Sequence, residues 1–141
     1  MTFAEAHRAI KRGDINRIRE ELENGLEPNL GNQYSWTILM AAAMKGDTQI
    51  GRLLIEKGAD VERRNKFGQS ALSLAAHTGH PSFVQLLLVS GASLNCDPDG
   101  KSLEVFLNWT EKYSGNSKEK MDNIRELFER ERNLRAQVAG D

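Results

Sequence analysis

Asn65-Lys-Phe-Gly-Gln-Ser-Ala-Leu-Ser-Leu-Ala-Ala-His-Thr-Gly79-His-Pro-Ser-Phe-Val-Gln-Leu-Leu-Leu-Val-Ser-Gly91-Ala-Ser-Leu-Asn95 holds a turn, a short Ala/Leu helix, a Gly break, a second apolar helix and a Gly stop. Subtracting 33 from each number brings the pattern back: Gly79 falls on Gly46 and Gly13, Gly91 on Gly58 and Gly25, Ala75 on Ala42 and Ala9, and Asn95 on Glu62 and Asn29. Self-similarity at one fixed period of this size is the mark of a stacked-repeat architecture, in which each unit buries its apolar face against its neighbours.

Working outward, Phe3, Ala6, Ala9 and Ile10 have helical spacing, Gly13 breaks the helix, and Asp14 is placed to cap a second one carrying Ile15, Ile18 and Leu22. Repeat three is apolar at Phe83, Leu86 and Leu87, where repeat one has Arg17, Glu20 and Glu21. Charges buried there without partners would cost several kcal/mol each, so that side of repeat one is expected to face water, as in a terminal cap. In repeat two, Thr37 precedes a helix with Ile38, Leu39, Ala41, Ala42 and Ala43, and Asp47 precedes one with Ile50, Leu53, Leu54 and Ile55. The Ala run suits a close approach of neighbouring helices. Gly51, unfavourable by about 1 kcal/mol against Ala in a helix, reads as a close contact, and Gly58 as the left-handed stop. Beyond Asn95 the pattern degenerates. Asp99-Gly100-Lys101-Ser102 comes one residue early; Leu103, Val105, Phe106, Leu107 and Trp109 make an apolar helix; Asn116-x-x-Glu119 reads as a capping box; and Met121, Ile124, Leu127 and Phe128 form one stripe of a last helix.

The period and its content resemble the ankyrin repeat. Phe67-Gly68-Gln69-Ser70-Ala71-Leu72-Ser73-Leu74-Ala75-Ala76 is similar to that family's opening, Gly79-His80 and Leu86-Leu87-Leu88 follow in place, and Gly58-Ala59-Asp60-Val61 matches its close. Ile38 and Ala71 stand where the family has Pro, and Met40 and Ser73 where it has His. The match is strong over Gly13–Asn95 and weak beyond. The resemblance implies an all-α ankyrin-repeat solenoid of helix-turn-helix repeats with short β-turn fingers, about four repeats including two degenerate caps. The expected divisions are repeats at about 1–30, 31–63 and 64–96, a C-terminal cap at 97–137 within one domain 1–137, and a disordered tail 138–141.

Charge and composition narrow the function. A formal net charge of −1 gives no global field for nucleic acid or an anionic membrane. No apolar run approaches the ~20 residues of a membrane helix, and Met1–Arg8 lacks the basic-then-apolar order of a signal peptide. One cysteine, Cys96, excludes an internal disulfide and falls in a turn by register, away from any His partner. His7, His77 and His80 lie in different repeats with no metal-ligand spacing. No phosphate-binding Gly loop is present, so no cofactor, metal or catalytic constellation is expected. The expectation is a cytoplasmic, monomeric, non-catalytic protein that binds another protein as adaptor, inhibitor or immunity-type module. The alternative is a structural protein that self-associates through its charged C-terminal helix, against which Glu131 and Arg135 interrupt the extension of the apolar stripe.

The resemblance also says where a partner binds: on a concave face, at positions flanking the turn Gly and the two before the mid-repeat Gly. Here these are Gln33, Tyr34, Trp36, Met44 and Lys45 in repeat two, and Lys66, Phe67, Gln69, His77 and Thr78 in repeat three. Repeat one adds Phe3, Lys11 and Arg12, and repeat four Pro98, Asp99 and Lys101. Tyr34 and Phe67, 33 apart, are expected on adjacent fingertips with Trp36 beside them, and an aromatic cluster on a wet turn suggests an anchor site. Packing across the preceding turn stays open for Trp36 and Phe67. Lys11, Arg12 and Lys45 add positive charge. His7 and His80 are expected to be structural.

Overall fold

The computed structural model describes residues 1–140. Those residues form eight helices: α1 (Phe3–Lys11), α2 (Ile15–Glu23), α3 (Ile38–Lys45), α4 (Thr48–Glu56), α5 (Ala71–His77), α6 (Pro81–Val89), α7 (Leu103–Tyr113) and α8 (Lys118–Gly140). They pair in sequence as helix-turn-helix units. The first helices α1, α3 and α5 stack in one layer, and α2, α4, α6 and α8 in the other. Two isolated bridges, Gly31 with Thr37 and Arg64 with Ser70, close the fingers that precede α3 and α5.

Local chemistry sets each start. Asp14, Thr37, Asp47, Ser70 and Ser102 each accept a hydrogen bond from the backbone N–H three residues on, satisfying donors that a helix leaves free. Ser73 Oγ also accepts from Ser70 N–H at 2.9 Å, so the cap survives without the family's Pro and His. The period is visible in the backbone itself: Gly13, Gly46 and Gly79 have φ of 70°, 78° and 76°. Gly79 is also closely packed. An added Cβ there would run into the Asn116 carboxamide, which donates to the carbonyls of Ala76 at 3.1 Å and His77 at 3.3 Å.

The Ala run stacks as expected: Ala42, Ala43, Ala75 and Ala76 are fully buried where α3 meets α5. At Gly51 a Cβ would lie 2.6 Å from the Phe83 ring, so α4 and α6 approach closely because Gly51 has no side chain. In repeat one Ile18 is fully buried, while Arg17 and Glu20 are exposed and Arg17 pairs with Glu21 at 3.1 Å. The closing turns are joined by side chains at the equivalent positions Asn29 and Glu62. Asn29 accepts from Asp60 N–H at 2.7 Å, and Glu62 from Ser93 N–H at 2.7 Å.

The last repeat departs from expectation in four places. First, α8 starts at Lys118 and is capped by Ser117, which accepts from Lys120 N–H at 3.2 Å; Asn116 is drawn away to the end of α5 and forms no capping box. Second, Val105 and Trp109 lie on the exposed side of α7, whose buried residues are Phe106, Leu107 and Thr110. With Leu107 and Asn108 where the preceding repeats have the small pairs Ala42-Ala43 and Ala75-Ala76, α7 packs mainly on α8 and stands off from α5. Third, Arg135, which in sequence interrupts the apolar stripe, donates to the carbonyls of Leu88 at 3.2 Å and Ala92 at 2.7 Å beyond the end of α6, while pairing with Glu131 at 3.0 Å. Fourth, α8 continues to Gly140, so residues 138–140 of the expected tail are helical; Asp141 lies outside the described residues.

Candidate functional site

Each finger is built on one side chain. Asn32 Oδ1 accepts from the N–H groups of Tyr34 at 2.9 Å and Trp36 at 3.1 Å. Asn65 Oδ1 accepts from Phe67 at 2.9 Å and Gln69 at 3.0 Å. Asp97 Oδ2 accepts from Asp99 and Lys101, both at 2.9 Å. These are Asx turns, in which a short side chain replaces the backbone acceptor. Their spacing is 33 and then 32, and that shared pattern was the signal in the sequence that could have found them. Asn32 and Asn65 thus set where Tyr34 and Phe67 stand. A backbone bond from Lys66 N–H to Tyr34 O at 2.9 Å locks the two fingers side by side.

The consequence is an aromatic pair on the fingertips. The Tyr34 and Phe67 rings are tilted with centroids 6.4 Å apart, 47% and 62% exposed, and the Lys66 ammonium lies 5.9 Å from the Tyr34 ring centre. Below Tyr34 a groove of about 660 Å³ opens between the first finger, α1 and α3, lined by Phe3, His7, Lys11, Asn32, Tyr34, Trp36, Ala41, Met44 and Lys45. Phe3 and His7 stack at 5.9 Å on its α1 side. Met44 is exposed on the α3 side. Trp36 is partly buried against the core and lines the groove as well, so its packing and its exposure to solvent coexist. Lys45 lies at the rim and donates to Lys11 O at 2.6 Å, which closes the free end of α1.

Other expected residues go elsewhere. Arg12 lines a separate polar depression with Glu5, Arg8, Asp14 and Arg17. Gln69 is turned inward to Asn65, whose amide donates to it at 2.9 Å. His77 occupies the helix end equivalent to Met44, but it is covered on one side by Trp109, the rings stacked at 5.0 Å and 24°. Its Nδ1 is buried without a partner among the described residues, and burial lowers its pKa. Thr78 donates back to Leu74 O at 2.6 Å. Trp109 and Tyr113, 48% and 61% exposed with ring centroids 5.7 Å apart, extend the first-helix face past His77. Sequence reading placed Trp109 with the apolar residues of its helix and gave it no face, because the 32-residue step hides its equivalence to Met44 and His77.

The remaining chemistry-bearing groups are structural in their contacts. His80 Nε2 lies 2.9 Å from Met44 O, bridging two repeats. Cys96 is buried and its thiol is pushed up to about 12, mainly by burial, far from the thiolate that nucleophilic chemistry needs. Among the described residues no group of His, Cys, Asp and Glu is arranged to hold a metal ion, and no helix is long and apolar enough to cross a membrane.

A family profile of ankyrin repeats, in three copies, matches residues 6–98. The chain belongs to the ankyrin-repeat family. Its members generally serve as protein–protein interaction modules and are typically non-catalytic. The profile runs from within α1 through α6 of this ankyrin-repeat protein, across the fingers of Asn32 and Asn65, and stops short of α7 and α8. A comparison with curated proteins found no match.

Proposed function

We propose that this ankyrin-repeat protein is a non-catalytic binding module that takes a partner protein on its finger and first-helix face, centred on the groove beneath Tyr34. The observation that carries the reading is the groove itself. Tyr34, Trp36, Met44 and Phe3 bring apolar surface together at a solvent-open site, with Phe67 beside it and cations at the rim. Exposed apolar patches of this kind mark interaction sites, and aromatic anchors in such patches carry binding energy of about 2 kcal/mol or more each. A cytoplasmic, monomeric adaptor, inhibitor or immunity-type protein acting by occupying its partner fits this arrangement. The test is the double variant Trp36→Ala with Phe67→Ala, measured against a captured partner with folding checked by circular dichroism. At least about a thirtyfold loss of affinity is expected; a folded variant that binds as tightly as the parent overturns the reading.

A second reading keeps the C-terminal helix as a self-association surface. Its favouring observation is that Leu134 and Val138 are exposed near the end of α8. Met121, Ile124 and Phe128, by contrast, are already fully buried within the chain. Light scattering at several concentrations separates the readings: a mass that rises with concentration in the parent and not in Leu134→Ser with Val138→Ser supports association.

A further inference from the structure

The groove beneath Tyr34 is one of two apolar clusters on the same layer. The other is His77, Trp109 and Tyr113, carried by α5 and α7. Between and around them the charge is one-sided. Lys11, Lys45, Lys66, Lys101 and Lys112 are exposed along the fingers and first-helix ends, with Lys112 lying 5.2 Å from the Tyr113 ring centre. Asp99, at the third finger, is the exposed carboxylate among the fingertip positions. The acids of α7 are drawn to the opposite layer: Glu111 pairs with Arg125 at 2.8 Å, and Glu104 with Arg125 and Arg132, each at 3.7 Å. A chain with net charge −1 therefore presents a cationic face, and its compensating acids lie elsewhere.

From this arrangement, and resting on the binding-module reading above, we infer that the partner element is an extended acidic segment carrying two bulky apolar side chains about six residues apart. The spacing follows from the fold. One cluster lies between α1 and α3; the other is anchored on α5, where Trp109 reaches back from α7 to stack on His77, so the two are about two helix spacings apart, or about 20 Å at the ~10 Å separation of packed helices. An extended chain advances about 3.3–3.6 Å per residue, so about six residues connect the anchors. A groove of about 660 Å³ has the size of a site for a large side chain and its neighbours, not for a whole domain surface. Carboxylates between the anchors would meet Lys66 and Lys45, which favours association and excludes basic competitors.

The experiment selects random 16-residue peptides displayed on phage against the full chain, then measures a synthetic peptide from the enriched pool by fluorescence anisotropy. The expected pool is rich in Asp and Glu, with two aromatic or large aliphatic residues about six positions apart. Lys11→Glu with Lys66→Glu is expected to weaken the peptide at least about tenfold, more at low salt than at high salt. Trp109→Ala is expected to remove the requirement for one anchor but not the other. A neutral or basic pool, a pool with one anchor, or no enriched pool overturns the inference. So does retention of an oligo-dT strand with the same lysine dependence in place of acidic peptides. If Trp36→Ala with Phe67→Ala abolishes selection while the lysine variant does not, the groove reading stands and the acidic partner falls. If neither variant changes the pool, the groove reading itself falls.

Discussion

Helix α2, at the first end of the stack, fully buries one side chain, Ile18, and turns Arg17 and Glu20 to water. Helix α8, at the other end, buries Met121, Ile124 and Phe128, while Asn116 before it and Arg135 within it reach back to carbonyls of repeat three. The first end is lean, and beside it lies the open groove of about 660 Å³. The second end is stitched down by side chain to backbone bonds. The contrast teaches that the second end is tied to the stack by long-range side chain to backbone bonds, while the first end leaves an apolar groove open to solvent.

The sharpest way to break that comparison is at its most buried contrast. Phe128→Ala is expected to cost about 3–5 kcal/mol, the range for a buried Phe, while Ile18→Ala is expected near the low end of its range, about 2 kcal/mol, because a terminal helix has fewer neighbours around the cavity. Equal losses in urea melts would mean that the two ends carry the stack alike. Gly79→Val comes next, at about 3 kcal/mol. A β-branched residue must take a φ of 76° there and displace Asn116, which removes the carboxamide bonds to the carbonyls of Ala76 and His77. Unchanged thermal melting of that variant would contradict the stitching of α8 to α5.

His77 makes a pH test confined to the second half. Burial against Trp109 lowers its pKa in the folded protein from 6.5, so the unfolded chain binds the proton more readily. Its neutral form costs nothing above that value, and stability is lost as pH falls through 6.5 toward the lowered folded pKa. Melting curves between pH 8 and about 5.5 should show a fall that is smaller in His77→Gln; an identical fall in both would assign the effect to other groups. The smallest expected effect lies in the first half and has the opposite sign. Ser35 holds a φ of 62°, the conformation that Gly68 holds in the next finger. Ser35→Gly should therefore stabilise by up to about 1 kcal/mol, less the entropy that Gly adds to the unfolded chain. A loss of stability would mean that the Ser35 side chain holds the finger.

What could be read in the sequence was whatever a fixed period records: the glycine breaks, the Ala-lined stack, the caps at Asp14, Thr37 and Asp47, and the contact at Gly51. Contacts that cross the register could not be read that way. Asn116-x-x-Glu119 satisfied a local capping pattern, yet two partly buried carbonyls at the end of α5 were the stronger claim on the carboxamide. Arg135 read as an interruption because its partners lie 47 and 43 residues away. For the site, the register brought Lys11, Tyr34, Trp36, Met44 and Lys45 to one groove. It did not fix which way Arg12 and Gln69 point, since a side chain at a helix end or a turn follows its nearest hydrogen-bond partner.

Cys96 gives the third-to-fourth repeat junction an internal clock. Its thiol is the chain's single sulfhydryl, is buried, and is held almost wholly protonated at neutral pH. A thiol reagent therefore modifies the chain only when that junction opens, and at low reagent concentration the modification rate reports the opening free energy of that segment rather than of the whole. Without any engineered label, the fraying of the C-terminal cap can be timed separately from the global unfolding of the stack.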